Sequence, residues 1–578
     1  MKVEIIFSVE DDLTLVTLEC RFSLLGLVVR RHVAEEVTVL CELNTTILAA
    51  AIFGVVYTFE KTNVVQTKEG KIEGYLAANG LCYEYIGIRY GVPNKFRAPS
   101  PPPKFSDVYK ANNPNVVCAQ FPTHDPLTAP SDTEDCLVLN VYAPSFLNST
   151  FPVMVFLHGG DFGVGSGSPA FYGAEYLITH GVIVVTLNYR LNVYGFLNLG
   201  IPEAPGNAGL KDIRAALRWI KENIASFHGD PDNVTVFGQG SGGLAAIYLT
   251  MSESTKGLFH RIISASGTPF SPQSFDAKPL ATARQVAKSL GINTKNPKEL
   301  LDLYFNTPII KVEEAIGKQM NPKSVFLPSV EKIFDGEEPF LTDTPYKILF
   351  TGKKHKSFNP VPIIIGINTV EGLTSTLDYY TITSQMDRIK NEDYSALDQR
   401  SLIIPAEDKE EFRNLIKETF FTNTTSDESL VGGIINLNTD FSFVGPISLF
   451  TELYSNSSGM PVYQYIFNYI GNRNLGKILT NSSLEATTNR DELFYIFELE
   501  RMPLPMDEND ARILTFMTMM WTNFAKYGSP TPDPSNGEWL PHHHLSINLE
   551  PQYVAPLTPE RAYFWRHFYF KYGVDMPK

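Results

Sequence analysis

The feature that most constrains the fold is a series of short, almost entirely apolar segments. They occupy residues 151–157 (FPVMVFL), 182–187 (VIVVTL) and 234–237 (VTVF), and two later ones occupy 361–367 and 462–467. Strands that are apolar at consecutive positions are typical of parallel sheets buried on both faces. Between two of these segments, residues 207–224 carry apolar side chains at helical spacing. Alternating strands and helices predict an α/β fold around a large, mostly parallel sheet with helices on both faces.

The composition argues against nucleic acid or an anionic membrane as the main partner. The 578 residues include 48 Lys plus Arg and 63 Asp plus Glu, which gives a net charge of −15. Nucleic acids and anionic lipids are bound through basic surfaces, and the sequence contains no basic cluster. Residues 64–578 contain no internal repeat and no linker, so we expect one large domain there.

Residues 1–63 are expected to be a leader rather than part of that domain. The run 47–59 (ILAAAIFGVVYTF) is apolar and has the length of a signal-peptide core, although it comes unusually late. A buried helix and a short membrane-anchoring signal are the alternatives for this run. The chain ends without an apolar tail, so we expect no C-terminal membrane anchor. Secretion is therefore the expected route.

Six Asn-x-Ser/Thr sequences are candidate glycosylation sites and fit that route. They begin at Asn44, Asn148, Asn233, Asn423, Asn456 and Asn481.

Two glycine-rich turns follow predicted strands and indicate where chemistry could occur. The segment 238–243 (GQGSGG) lies between a strand and a helix, the arrangement of a nucleophile elbow. Gly159, Gly160 and Asp161 directly follow the strand 151–157. Backbone N–H groups on such a loop, together with the amide of Ser241, can form an oxyanion hole.

These turns and several further segments resemble the type-B carboxylesterase family, the cholinesterase-like branch of the α/β-hydrolases. The matching segments are 134–141 (EDCLVLNV), 188–190 with 195–197 (NYR and GFL), 206–212 (GNAGLKD) and 521–528 (WTNFAKYG). The resemblance covers about nine-tenths of the chain. It implies an α/β-hydrolase fold and a site built from a Ser-His-Glu triad, in which His activates the serine that attacks an ester.

The resemblance places a glycine where the family has its nucleophilic serine. The family serine follows Phe-Gly-x, whereas here Phe237, Gly238 and Gln239 are followed by Gly240, and Ser241 comes one residue later. Glycine adopts a strained elbow backbone at low cost, so Gly240 is expected to keep the turn without the hydroxyl. The alternative is a shifted register with Ser241 as nucleophile, which would put Gln239 where a close-packed glycine is needed.

The resemblance implies a triad acid at Glu371, after the strand 361–367, with an ordinary loop glutamate as the alternative. The family histidine precedes Asp-Glu-Leu by two residues, and Asn489 occupies that place here. An amide cannot act as a general base near neutral pH. The downstream histidines are His542, His543, His544 and His567. We expect them to lie on a solvated loop and the final helix, and we expect no metal or cofactor.

The cysteines suggest one disulfide. The resemblance implies a Cys118–Cys136 bridge, whereas Cys82 is expected to be a buried free thiol.

The expected function is that of a catalytically impaired relative of these esterases. In a serine protease, loss of the serine or of the histidine alone costs about 10⁶ in kcat. Such a chain would bind a hydrophobic ester or acid, or a cell-surface protein. An active carboxylesterase that uses Ser241 is the alternative, and an error in the gene sequence at positions 240 and 489 is a third explanation.

Overall fold

The computed structural model describes residues 64–572, apart from 121–130, 132, 147–148, 318–325, 377–378, 393–403, 423–425, 481–483, 534, 536 and 558. Of residues 1–63 it describes the backbone of three strands. The chain divides into two compact units, Met1–Phe59 and Glu60–Lys578.

The first unit contains an antiparallel sheet, which the sequence patterns did not predict. Its strands are β1 (Lys2–Val9), β2 (Asp12–Ser23) and β3 (Gly26–Arg31), with β2 in the middle. The apolar run 47–59, for which we expect a signal-peptide core, lies outside the described residues.

The second unit is built on one large sheet and two small ones. Its strands are β4 (Val65–Gln66), β5 (Lys71–Glu73), β6 (Tyr75–Leu76), β7 (Cys82–Arg89), β8 (Tyr109–Lys110), β9 (Val138–Pro144), β10 (Phe151–Leu157), β11 (Ile183–Leu187), β12 (Asn198–Ile201), β13 (Ala204–Pro205), β14 (Gly229–Gln239), β15 (Arg261–Ala265), β16 (Ile363–Asn368), β17 (Val462–Phe467), β18 (His544–Ile547) and β19 (Gln552–Val554).

The α-helices described in this unit are α1 (Glu175–Ile178), α2 (Asn192–Phe196), α3 (Ala208–Asn223), α4 (Ser241–Leu249), α5 (Pro279–Ser289), α6 (Pro297–Asn306), α7 (Ile309–Gly317), α8 (Pro345–Thr351), α9 (Tyr379–Lys390), α10 (Lys409–Phe420), α11 (Asp427–Thr439), α12 (Gly445–Ser458), α13 (Leu475–Thr480), α14 (Glu508–Tyr527) and α15 (Pro559–Tyr572). Short 3₁₀ turns cover Ile224–Phe227, Glu253–Thr255, Gly352–Lys354, Glu371–Thr376, Ala406–Asp408 and Asp491–Tyr495, and a π-helical turn covers Asp440–Val444.

The large sheet has eleven strands in the order β19-β18-β17-β16-β15-β14-β10-β11-β9-β7-β6. The seven strands from β18 to β11 are parallel, and the strands outside them pair antiparallel. This is the mostly parallel sheet that the apolar segments predict.

Helices cover both faces of the sheet, because consecutive strand residues enter different cores. In β10, Val153 and Val155 belong to the cluster that includes α3, α4 and α12, whereas Met154 and Phe156 belong to the cluster that includes α14. The fully apolar pattern of β10 is thereby explained.

Most predicted elements agree closely with the structure. Strands β10 and β17 begin and end where predicted, and α3 lies within the predicted range 207–224. Strand β14 begins at Gly229, five residues before the predicted start at 234. Its first half contains Asp230, Pro231 and Asp232, and the pairing with β10 shifts register there, so the apolar pattern covers only its buried second half.

Within the described ranges, no helix has both the length and the apolar character needed to cross a bilayer.

Candidate functional site

The turn between β14 and α4 has the geometry of a nucleophile elbow with Gly240 at its apex. The backbone of Gly240 has φ +56° and ψ −123°, which side-chain-bearing residues rarely adopt. Its flanking glycines pack tightly: a Cβ on Gly238 would lie 2.5 Å from the carbonyl carbon of Gly242, and one on Gly242 would lie 2.0 Å from the Leu157 oxygen. A Cβ on Gly240 would meet no atom within 4 Å. The apex therefore has room for a side chain that it lacks.

Ser241 lies one residue past the apex, at the first position of α4. Its hydroxyl oxygen accepts the backbone N–H of Phe162 at 3.2 Å. The residue is 6% exposed. Among the described residues, no histidine ring hydrogen-bonds this hydroxyl. Ser241 thus holds the neighbouring loop in place and has no base beside it.

The loop after β10 lies beside the elbow, since Phe162 donates to Ser241 and Gly159 packs against Gln239. Gly160, Asp161 and Phe162 all have positive φ values, of 117°, 57° and 61°. The oxygen of Gly160 accepts the N–H groups of Gly163 and Val164, which closes the loop on itself.

The amides at this loop and at the start of α4 remain available. In the described part of the chain, the N–H groups of Gly159, Gly160, Asp161 and Ser241 donate to no protein acceptor. Unused N–H donors beside an elbow can bind a carbonyl or oxyanion oxygen.

His158, which begins this loop, is held by contacts of its ring. Its fully buried ring stacks on Tyr189 at 4.4 Å between centroids, and its Nδ1 lies 2.9 Å from the Gly159 oxygen. Burial lowers the pKa of His158 to about 4, so the ring is neutral. It is therefore a packing group of the loop.

Glu371 is fully buried and begins the 3₁₀ turn that follows β16. Its Oε1 accepts the Asn368 backbone N–H at 2.7 Å and the Ser266 hydroxyl, and its Oε2 accepts the Asn489 amide Nδ2 at 2.7 Å. Burial raises the pKa of Glu371, and these donors act against that shift.

Asn489 links Glu371 to the elbow. While its Nδ2 donates to Glu371, its Oδ1 accepts the Gln239 side-chain amide at 3.0 Å. The two partners fix the orientation of the amide, and its oxygen and one of its N–H groups are used. Gln239, Asn489 and Glu371 thus form a continuous chain of hydrogen bonds. It starts at the residue that precedes the apex in the sequence.

A second buried carboxyl group lies behind the acid. Asn368 donates through Nδ2 to Glu492 Oε2 at 2.6 Å and to Glu371 Oε1 at 3.3 Å. Burial, followed by the charge of Glu371, raises the pKa of Glu492 to about 8. Glu492 therefore retains its proton at neutral pH.

The sequence patterns missed Gln239, Asn368, Glu492 and Ser266 as members of this site. The signal for Glu492 was present in the Asp-Glu-Leu segment and the signal for Gln239 in its place before the apex. Neither signal indicates what the side chain contacts.

The downstream histidines interact elsewhere. His542 Nδ1 lies 3.4 Å from the Ser455 hydroxyl, His543 Nδ1 lies 3.1 Å from the Pro541 oxygen, and His567 is on α15. His544 is half-buried on β18, a strand of the large sheet, so the expectation of a solvated loop is wrong for this residue. Within the described ranges, no group of His, Cys, Asp and Glu side chains could hold a metal ion.

The expected disulfide is confirmed, since Cys118 and Cys136 are bonded and Cys82 is a buried free thiol. Of the glycosylation candidates, Asn456 is exposed, whereas Asn233 is half-buried and accepts from Arg261 at 2.5 Å. The other four lie outside the described residues.

Comparisons with known proteins agree on one family. A model of the carboxylesterase family matches residues 61–565. Juvenile hormone esterase of Heliothis virescens is 30% identical over 511 residues, which cover 83% of this chain and 88% of that protein. Liver carboxylesterase of Sus scrofa is 29% identical over 558 residues, covering 89% and 94%. The crystal structure of juvenile hormone esterase from Manduca sexta, with OTFP covalently attached, matches with a TM-score of 0.78 at 27% identity, covering 89% of this chain and 99% of that one.

Proposed function

The chain belongs to the carboxylesterase family, and from this premise we propose that it is a non-hydrolysing member that binds an uncharged hydrophobic ester. Family membership confirms the resemblance seen in the sequence, and the α/β-hydrolase fold is confirmed by the structural neighbour.

The proposal rests on the Gln239–Asn489–Glu371 hydrogen-bond chain beneath an apex that is glycine. Ester hydrolysis by a triad needs a hydroxyl at the apex and a base that can take its proton. Gly240 has no hydroxyl, and the Asn489 amide accepts no proton near neutral pH. This amide is hydrogen-bonded to Gln239 and to Glu371, so the residue in the histidine position is itself paired on both sides.

The ligand class follows from the groups that remain. Four unused amides beside an open apex favour a ligand oxygen, and relatives that are an esterase and a carboxylesterase suggest esters. Asp161 adds a carboxyl group next to one of these amides, which disfavours an anionic acid relative to a neutral ester carbonyl. A hydrophobic acid is therefore the weaker ligand in this proposal.

Secretion and glycosylation belong to the same proposal. The disulfide suits an oxidising compartment, and the exposed Asn456 suits a surface glycan. Recognition of a cell-surface protein through the outer surface is the competing mode of binding.

Turnover of 4-nitrophenyl butyrate by the wild type and by Ser241→Ala tests the catalytic half of the proposal. We expect no burst and the same slow rate from both proteins, because Ser241 is hydrogen-bonded to the loop and lacks a base. A burst in the wild type that disappears in Ser241→Ala would mean that Ser241 is the nucleophile and that the protein is an active esterase.

Infrared spectroscopy of a bound ester tests the binding half. Butyl decanoate labelled with ¹³C at its carbonyl should bind intact, and its C=O stretch should shift to lower frequency than in water, because preorganised N–H donors polarise the bond. Saturable binding without this shift, or no binding at all, contradicts the proposal and favours the protein-partner mode.

A further inference from the structure

Two adjacent polar side chains lie on one face of the large sheet. Ile365 of β16, Gln464 of β17 and His544 of β18 are register partners, so their side chains lie side by side on that face. Their neighbours on the same face, Ile363 and Val462, are fully buried and apolar. Gln464 and His544 therefore add polar groups beside an apolar part of the face.

A cavity of about 300 Å³ lies over this pair. Helix α12 (Gly445–Ser458) contributes Ile447, Ser448 and Thr451 to its wall, and Leu557 and Ala562 come from the chain around the start of α15. The exposed residues Asn456 and His542 lie at its edge. Its volume is at the lower end of the range for small-molecule sites.

The amide of Gln464 opens into this cavity. The residue is 9% exposed and, among the described residues, its side chain makes no hydrogen bond to the protein. Its amide is therefore available to the polar group of a molecule in the cavity.

The charges around the cavity are neutralised. Glu452 lies at one side and forms an ion pair with Arg566 at 2.6 Å. Burial, followed by the charge of His543, lowers the pKa of His544 to about 4, so its ring is neutral at pH 7. A cationic ligand would therefore find the Glu452 carboxylate already paired, and His544 offers no charge to an anionic one.

We propose that this cavity is a second ligand site, separate from the elbow, for an uncharged and largely apolar molecule with one hydroxyl or carbonyl group. The apolar walls hold the body of the molecule, and its polar group pairs with the Gln464 amide. Water alone in the cavity is the outcome to exclude.

Calorimetric titration with 1-octanol, octanoate and octylammonium tests the site in the full-length protein. We expect one saturable site for 1-octanol and binding at least about tenfold weaker for the two charged compounds. Gln464→Met, which removes the amide at similar volume, should weaken 1-octanol binding by about tenfold, the worth of one satisfied hydrogen bond.

Location is tested by filling the cavity. Ser448→Trp should abolish binding, whereas the matched control Thr515→Trp, at an exposed position of α14, should leave it unchanged. If Ser448→Trp does not fold by circular dichroism, Ala562→Phe fills the cavity from the opposite wall. Absence of saturable binding, full binding by the filled variants, or no effect of Gln464→Met would overturn the proposal.

Discussion

The two halves of the elbow site differ in what supplies their chemistry. The loop 159–162 and the turn at Gly240 are defined by backbone φ angles, and they leave backbone N–H groups without a partner among the described residues. The positions for nucleophile and base act through side chains, and there Gly240 and Asn489 carry neither group.

The difference indicates which parts of such a site the fold itself protects. The flanking glycines touch the backbone of β10 and of the elbow, so they cannot change without moving the sheet or the helix. Position 240 has open space around it, and Asn489 satisfies both of its neighbours. The backbone half of the site is therefore fixed by the packing of the fold, whereas position 240 is not.

The largest stability effect is expected at Gly242, where the backbone contact is closest. Gly242→Ala places a Cβ 2.0 Å from the Leu157 oxygen, and the free energy of unfolding should fall by more than about 3 kcal/mol, measured by urea denaturation. Gly432→Ala is the matched control, because it lies in α11 with open space around it and should stabilise by about 0.5–1 kcal/mol. If Gly242→Ala and Gly432→Ala both had small effects on the free energy of unfolding, the backbone half of the site would not be fixed by packing, and the comparison would fail.

A charge at position 489 should disrupt the network around the acid. Asn489→Asp places a second carboxylate against the buried Glu371 oxygen. The free energy of unfolding should therefore fall by about 2–3 kcal/mol at pH 8 and by less at pH 5. Asn79→Asp is the control, since this exposed residue keeps its hydrogen bond from Leu81. Equal effects of the two changes would mean that Asn489 does not support Glu371.

The buried proton on Glu492 predicts a pH dependence of stability. Its pKa is about 8 in the folded protein against 4.5 for an ordinary glutamate, so between these values unfolding releases a proton. Stability therefore declines as pH rises from about 4.5 to 8. Glu492→Gln should flatten this decline in denaturation measured across pH, and Glu485→Gln, an exposed neighbour, should not.

The smallest effect is expected at the apex. Gly240→Ala adds a side chain in open space but at positive φ, so the free energy of unfolding should fall by about 1–2 kcal/mol. A loss as large as that of Gly242→Ala would show that position 240 is packed, and it would remove the argument that the nucleophile can be lost without consequence for the fold.

The sequence predicts the frame of the site well because its signals are local. The strand at residues 151–157, the glycine turn at 238–243 and the helix after it are each specified by neighbouring residues, and all three lie where predicted. The placement of Gly240 at the apex also agrees with the close packing of Gly238 and Gly242.

The contacts that decide the chemistry could not be predicted in this way. Gln239 and Asn489 are 250 residues apart, and Asn368 and Glu492 are 124 apart. Neither polar pair leaves a periodic trace in the sequence, since each meets only when separate sheet loops converge. The 3.2 Å hydrogen bond from the Phe162 N–H to the Ser241 hydroxyl is likewise a tertiary contact.

The most direct test of the account is to restore the two side chains together. Gly240→Ser with Asn489→His supplies a hydroxyl at the apex and an imidazole beside Glu371, next to unused oxyanion amides. We expect kcat/KM for 4-nitrophenyl butyrate to rise at least about 10³-fold over the wild type, with each single variant near the wild-type value, because triad members act as a unit. A folded double variant without activity would show that the backbone half of the site is not functional, and would contradict the account.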